Sequence, residues 1–465
     1  MAKVLKKIYL ILIIKIVALS YTSCSLNIPP PDEFSDPDAI TNVEAARSLL
    51  TSAYIMYPHY EYELSILGND FCPTNLSGKD IEQQNLYRWQ DKSISSFSSD
   101  VWLSFYSTIA TCDVLLERED LIITENPAEQ NKKEAIISEA LTLKALCYFN
   151  LLRLFAPAYD INPKADGIII KNRVGIETPK RSSIEDCITY IKDLLNKSVL
   201  CNNNPTQNGW LSKNAAIYLL SEVELYSGNY DLAAKHSETL LNNLPDELFS
   251  SADNYQRLWQ QESFKGRIFA FNNSNPYYSS IQYDEKSGDY FALSPIIKYQ
   301  QNDIRKESNS YPFYMDGKER ILLGKYNMNN KTGRNTSYIN IMRYAGSFFI
   351  GAEAYCRNGE EEKGRNLINK YLSLCSAKLL SKDITNNLLI SSILNEKYKE
   401  FAGEGVNYFD LKRVHNNKLI RYNKWGDSAN STIEEDDYRW SFPIPSHEYK
   451  YNENVSQNNG WTINK

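Results

Sequence analysis

Apolar positions recur every three or four residues in several separate windows of this chain, the spacing that lines one face of an α-helix. From Asn42 to Tyr57 the stripe is Val43, Ala46, Leu49, Leu50, Ala53 and Tyr54, and Pro58 ends it. A tyrosine-rich stretch with no such stripe follows to about Ser99 and reads as irregular. Helical spacing resumes from Val101 to Leu116, then from Glu134 to Phe155, where Pro157 is the stop. Ser182 and Ser183 ahead of Glu185 and Asp186 read as a helix start, leading into Ile184, Cys187, Ile188, Ile191, Leu194 and Leu195. A further helix is predicted from near Ser212 to Tyr226.

Two stretches echo each other. Glu222 to Ala233, with Gly228 in the middle, aligns with Glu353 to Gly364, with Gly359 in the middle. Each reads as a helix, a glycine turn, and a second helix that packs back through a small residue. Glycine takes the left-handed helix end, and alanine or glycine lets two helices approach closely, which is the tetratricopeptide pattern. Between the copies, Asn243 to Ser337 is rich in Asn, Ser, Tyr, Pro and Gly and carries few helical stripes. A long irregular insertion on a rigid helical frame is where binding function concentrates.

The N-terminus adds a compartment. Lys3, Lys6 and Lys7 precede an apolar run from Ile8 to Leu19, interrupted by Lys15, and then Thr22, Ser23 and Cys24. Small residues before a cysteine fit cleavage by a lipoprotein signal peptidase and acylation of Cys24, so the chain is expected to be exported and tethered to a membrane. An ordinary cleavable signal with a chance cysteine is the alternative. The run is too short and too broken for a spanning helix.

Composition narrows the function classes. Removing the leader with its four lysines takes the formal charge from −6 to near −10, and no long basic run remains, which argues against nucleic acid as a partner. The other seven cysteines are scattered and odd in number, so they form no disulfide framework; Cys112, Cys147 and Cys356 fall in apolar helical patterns and read as core. The four histidines make no local metal motif, and no metal or cofactor is expected. Tyrosine is the outlier, at 33 against 17 phenylalanines; it suits surfaces that stack on sugars or grip peptides, although buried tyrosines bonded to backbone account for many.

Several ordered motifs carry a resemblance. Trp102-x3-Tyr106-x2-Ile109-x2-Cys112-Asp113 is followed by Glu139-Ala140 with Lys144-Ala145-x2-Tyr148-Phe149-x2-Leu152. Leu211-Ser212-Lys213-x-Ala215-Ala216 opens the first repeat; Ile341-Met342-Arg343-Tyr344-Ala345 with Ala352-Glu353-Ala354 opens the second. Next comes Ile393-Leu394-Asn395-Glu396-Lys397-x2-Glu400-Phe401-Ala402-Gly403-Glu404-Gly405-x3-Phe409-Asp410-Leu411-Lys412-Arg413. Phe442-Pro443-Ile444-Pro445-x2-Glu448-x3-Asn452 and Gln457-Asn458-Asn459-Gly460-Trp461 complete the series. Together these resemble the SusD/RagB family of outer-membrane nutrient-binding lipoproteins of the Bacteroidetes, over nearly the whole chain. Lys397 and Asn407 stand where arginine is common in that family, and Asn459 where proline is usual.

The resemblance implies a mostly α-helical protein, with tetratricopeptide-like helical hairpins beneath an irregular, loop-rich ligand-binding part. Residues 1–23 are then the signal peptide and 24–465 one domain, with scaffold at about 40–242 and 338–465 and the insertion at about 243–337. It also implies a SusC-like TonB-dependent transporter as partner, attachment to the outer membrane through lipid on Cys24, exposure at the cell surface, and glycan capture without catalysis. A peptide- or glycopeptide-capturing lipoprotein and a surface glycosidase are the alternatives.

Glu400 and Glu404 lie one helical turn apart, with Asp410 beyond. Glycosidase carboxylates flank a bond across a cleft, so neighbours on one helix near Lys399, Lys412 and Arg413 read instead as structural ion pairs. The run Glu434 to Asp437 lacks the alternation and turn glycine of a calcium loop. No G-x-S-x-G elbow occurs. A sugar ring needs an aromatic face for its C–H groups and polar side chains for its hydroxyls. Tyr87, Arg88 and Trp89 beside Gln90 offer that mixture, and so does Asn272 to Tyr283 with Tyr277, Tyr278 and Tyr283; Tyr290, Tyr311 and Tyr314 extend the candidate set. For Trp89, burial in the core is the competing reading.

Overall fold

The computed structural model describes residues 40–74, 81–171, 173–205, 207–242, 244, 248, 251–261, 264–272, 291–315, 317–326, 338–414 and 418–462. Cys24, Tyr277, Tyr278, Tyr283 and Tyr290 lie outside the described residues.

Helix α1 spans Val43–Met56, with Asn42 accepting the Ala45 amide as its cap, and buries the stripe named above. The stretch up to Ser99 is more ordered than its sequence suggests. It holds α2 (Glu61–Leu67), β1 (Phe71–Pro73) and α3 (Ile81–Tyr87). Helix α4 begins at Asp91, well before Val101, and runs to Glu117. Serines 93, 95, 96, 98 and 99 dilute the apolar stripe there, yet Ile94 and Ser98 are buried.

Helix α5 (Pro127–Phe155) also starts early, because Asn126 accepts the Glu129 amide and Pro127 fits the first turn. It is the central helix: nearly every side chain from Ile136 to Phe155 is buried, against α1, α4 and the later helices α6 (Ile184–Ser198) and α7 (Lys213–Tyr226). Its last carbonyls are satisfied from afar. Arg181 Nη2 and Asn458 Nδ2 donate to Phe155, at 3.0 and 2.7 Å, and Lys412 Nζ donates to Arg153 at 2.7 Å. Three cationic or amide groups thus meet the negative helix end.

The two sequence echoes are two antiparallel helical hairpins. Helix α7 turns at Gly228 into α8 (Tyr230–Asn242). Past the short α9 (Ala252–Gln256) and α10 (Ile304–Asn309), α11 (Tyr344–Arg357) turns at Gly359 into α12 (Glu361–Leu374). Both glycines are left-handed, with φ of +79° and +82°, and α8 packs on α11 so that the hairpins stack. A β-carbon at Gly364 would sit 2.6 Å from the Ala352 carbonyl oxygen, so only glycine allows α12 to lie this close to α11. Helices α13 (Asn386–Glu400), α14 (Asn407–Arg413) and α15 (Ser446–Tyr451) complete the frame.

The insertion is not simply irregular. It supplies β2 (Arg267–Asn272), β3 (Phe291–Leu293), β4 (Ser310–Met315) and β5 (Lys318–Leu323), and β6 (Tyr338–Arg343) follows at once. Strand β2 pairs antiparallel with β6, and the other sheet has the order β1-β3-β5-β4. Phe71 faces Leu293 in that sheet, so a strand from the N-terminal part closes its edge. Strands of three residues paired across such sequence distances leave no local period to read. A hairpin of β7 (Leu419–Tyr422) and β8 (Ala429–Ile433) precedes the C-terminal segment.

A buried ion network welds insertion to frame. Arg343, at the junction of β6 and α11, donates to Glu400 at 2.7 Å and to both oxygens of Glu404 at 2.8 and 2.9 Å. Lys325 donates to Glu404 and to the Glu400 carbonyl, both at 2.6 Å. Arg305 reaches Asp303 at 2.7 Å and Glu396 at 2.6 Å. Glu400 and Glu404 are therefore structural, but their partners are Arg343, Lys325 and Arg305; Lys412 meets carbonyls, and Arg413 pairs with Glu353 and Asp410. Lys397, in place of the family's arginine, still pairs with Asp410 at 2.8 Å. Cys112, Cys147 and Cys356 are buried and free.

Trp89 belongs to the core, a correction to its reading as a ligand platform. Its ring is 0% exposed, packs edge-on against Trp440 at 4.7 Å, and donates from Nε1 to the Leu67 carbonyl. Residues from the far end of the chain cover it, and the sequence around Trp89 carries no sign of them.

Three outcomes follow from this packing. Trp89→Ala is expected to lower the unfolding free energy by about 3–5 kcal/mol, read by urea denaturation; a near-neutral result would place the ring outside the core. Arg343→Ala removes the cation shared by two buried carboxylates and should cost about 3–5 kcal/mol by the same measurement. Glu61 is buried with Oε2 unpartnered, and burial pushes its carboxyl up to about 8. It binds its proton more tightly folded than unfolded, so its contribution is complete below about pH 4.3 and is lost as pH rises through about 8. The thermal advantage of Glu61→Gln over the native chain should therefore grow between acid and alkaline buffer; melting temperatures that stay parallel would count against it.

Candidate functional site

At the C-terminal end of α1, the segment 207–210 and the paired ends of β2 and β6 enclose a cleft of about 410 Å³. Its floor is aromatic: Trp210, Phe271 and Tyr338, with Tyr54 beneath. Asn208 sets the segment in place, its carbonyl accepting the Ala270 amide at 2.9 Å and its side chain accepting the Phe264 amide.

Trp210 is held by a chain of polar contacts. Glu139 of α5 accepts from Arg47 Nη1 and Nη2, at 2.9 and 3.0 Å, and from the Tyr54 hydroxyl at 3.1 Å. The Leu211 amide in turn donates to that hydroxyl at 3.0 Å. The Arg47 guanidinium then lies 4.8 Å from the Trp210 ring centre, and Tyr54 meets the ring edge-on at 5.3 Å. Trp210 remains half-buried, with part of its ring open to the cleft.

Phe271 is stacked on Tyr57 at 4.7 Å and met edge-on by His59 at 5.1 Å. Burial holds the His59 imidazole down at about 4, so it is neutral near pH 7, and its Nδ1 is buried without a hydrogen-bond partner. Tyr338 has the Arg267 guanidinium 4.6 Å from its ring centre. Thr51, Gln207 and Asn272 give the rim hydroxyl and amide groups. Among the described residues no Asp, Glu, Lys or Arg lines this cleft. An uncharged aromatic floor with an amide rim accommodates the C–H face of a sugar and its hydroxyls.

The residues singled out from sequence fall in three places. Tyr87 and Arg88 line a different cleft, beside the β7–β8 hairpin; Tyr87 is mostly buried, its hydroxyl accepting the Tyr422 amide at 2.7 Å. Trp89 is interior. Tyr311 and Tyr314 sit on β4, the edge strand furthest from β1; Tyr314 is 64% exposed, and neither lines either cleft. Tyr277, Tyr278, Tyr283 and Tyr290 follow Asn272 in the sequence and lie outside the described residues. Trp210, Tyr338 and His59 were missed. The available signal was a tryptophan behind Asn208-Gly209 in a polar run, just ahead of the Ser212 helix start.

The glycosidase alternative finds no support in Glu400 and Glu404, which are consumed by the buried network. The two ends of the acidic run are likewise engaged: Glu434 pairs with Lys418, and Asp437 accepts from Arg439. Among the described residues no three metal-ligating side chains gather.

Comparison with known proteins matches this architecture throughout. A family model described as the SusD family covers residues 248–461, and one described as starch-binding, associating with the outer membrane, covers residues 31–225. A SusD-like protein P2 of Formosa agariphila is 23% identical over 84% of this chain and 85% of its own length. A SusD superfamily protein of Bacteroides thetaiotaomicron superposes with a TM-score of 0.75 at 22% identity, over 90% of this chain and 99% of that one. A SusD-like carbohydrate binding protein of Bacteroides vulgatus does so with a TM-score of 0.71 at 18% identity, over 89% and 97%. Stacked helical hairpins, the ordered motifs and these matches lead to one assignment: the chain belongs to the SusD/RagB family.

Proposed function

We propose that this protein captures glycans in the Trp210 cleft, without catalysis, and delivers them to a SusC-like TonB-dependent transporter in the outer membrane. The observation that carries the reading is the uncharged aromatic floor of Trp210, Phe271 and Tyr338 beneath an amide rim. Binding there needs no proton transfer and no nucleophile, only stacking area and hydrogen bonds, and Trp210 is pre-set for it by Arg47, Tyr54 and Glu139. Its relatives support the ligand class: starch binding and outer-membrane association describe the N-terminal family model, and carbohydrate binding the Bacteroides vulgatus protein. Acylation of Cys24 would hold the protein at that membrane, facing the medium.

Affinity electrophoresis of the chain from Ser25 onward, through gels carrying plant, host or microbial polysaccharides, tests the proposal. Retardation by one glycan class without release of reducing sugar is expected. Trp210→Ala should weaken it by at least about tenfold, which is about 1.4 kcal/mol, while lowering the melting temperature far less than Trp89→Ala does. Competition by peptides and not by glycans would instead favour the peptide-capturing alternative.

A further inference from the structure

Tyr87 and Arg88 open onto a second cleft, of about 370 Å³, between α3, the end of β1 and the β7–β8 hairpin. Its charged lining is Arg88, Arg421 and Lys424, and among the described residues no carboxylate lines it. In a chain of formal charge −6 this is an uneven local field.

Arg421 forms the floor and is 1% exposed. Its Nη1 donates to the Ile66 carbonyl at 3.1 Å and its Nη2 to the Leu67 carbonyl at 2.6 Å. Its guanidinium lies 4.7 Å from the Tyr87 ring centre, and its Nε is buried with no hydrogen-bond partner. Nη1 also donates to the Asn69 side-chain oxygen at 3.4 Å. Among the described residues the partners of Arg421 are thus carbonyl and amide oxygens and ring faces with no carboxylate, and burial draws its pKa down to about 10. Arg88 is exposed and donates to Gln84 at 3.3 Å; Lys424 is exposed and lies 5.0 Å from the Trp425 ring centre. The carboxylate on the turn of the same hairpin, Asp427, is engaged by Lys318 and Asn423, outside the cleft lining. Arg320 adds a further positive charge behind the wall, donating to the Lys424 and Pro73 carbonyls.

Three converging cations with no acid among them form a site that an anion completes, and the neutral groups of Thr74, Asn430 and Ser431 suit the hydroxyls beside such an anion. We propose that this cleft binds the carboxylate or sulfate group of an acidic sugar, with Arg88 and Lys424 reaching the anion from the rim and Arg421 supplying the positive floor. This rests on the glycan reading above and narrows it: the preferred ligand is an anionic glycan, its charged groups held here and uncharged ring faces at Trp210.

The test compares the protein with its Arg88→Glu/Lys424→Glu variant, both substitutions being exposed, in gels of polygalacturonate, sulfated carrageenan or neutral galactan. Acidic glycans are expected to retard the native protein more than galactan does, and at least about tenfold more strongly than they retard the variant. Raising salt from about 0.02 to about 0.3 M should weaken the effect by screening. The polymer that binds tells carboxylate from sulfate. Equal retardation by neutral and acidic glycans, or none lost in the variant, overturns the proposal and leaves the glycan reading standing. Failure with every polysaccharide sinks the glycan reading, and thermal stabilisation by inorganic sulfate then decides the cleft. Stabilisation of the native protein but not of the variant keeps an anion site; its absence in both removes it.

Discussion

Arg343 sits where a strand of the insertion side becomes a helix of the repeat frame, and its guanidinium is fully committed to Glu400 and Glu404. Lys325 and Arg305 approach the same two carboxylates from the insertion. All of these side chains are out of water, so each charge is tolerable only while its partners are in place. That condition ties four distant parts of the chain to one geometry. Gly403 and Gly405, at φ of +79° and +73°, bend the chain between and after the carboxylates, so that Glu404 lies beside Glu400 and faces Arg343.

A second polar chain does comparable work at the proposed glycan cleft. Glu139 projects from the central helix α5, orders Arg47 and Tyr54, and through them fixes the plane of Trp210. A tryptophan on a short polar segment would otherwise sample several rotamers, and a ligand would have to order it on binding. The two clefts differ in electrostatics. Among the described residues, one is lined by aromatic faces and no charge, and the other by three cations, of which one is buried without a carboxylate partner. They therefore suit different portions of one ligand, which is the basis for reading them together.

Much of the helical frame was legible in the chain. Wherever an apolar stripe ran for a dozen residues with a cap or a proline at its end, as in α1, α6 and α7, the helix stands within a residue or two of the predicted place. The glycine turns at Gly228 and Gly359 and the small residues after them also formed as read. The misses share a cause. Serines hid the first turns of α4, and the three-residue strands β1 and β3 pair with each other across about two hundred residues, so no local window contains the interaction that joins them.

The clearest contrast is between two tryptophans. Sequence left Trp89, in an aromatic and polar run, open between ligand contact and core, and Trp440 and Tyr408 fold over it and leave no face. Trp210 stood in an unremarked asparagine-rich segment, and the pairing of β2 with β6 put Phe271 and Tyr338 beside it. By itself, then, the sequence determined the helical hairpins, their turns and the ordered motifs that identify the family, because those depend on neighbours a few residues apart. Which aromatics reach solvent, which carboxylates are neutralised and which arginine is left without a counter-ion were decided only by the tertiary structure. Burial and charge pairing are properties of side chains brought together across hundreds of residues.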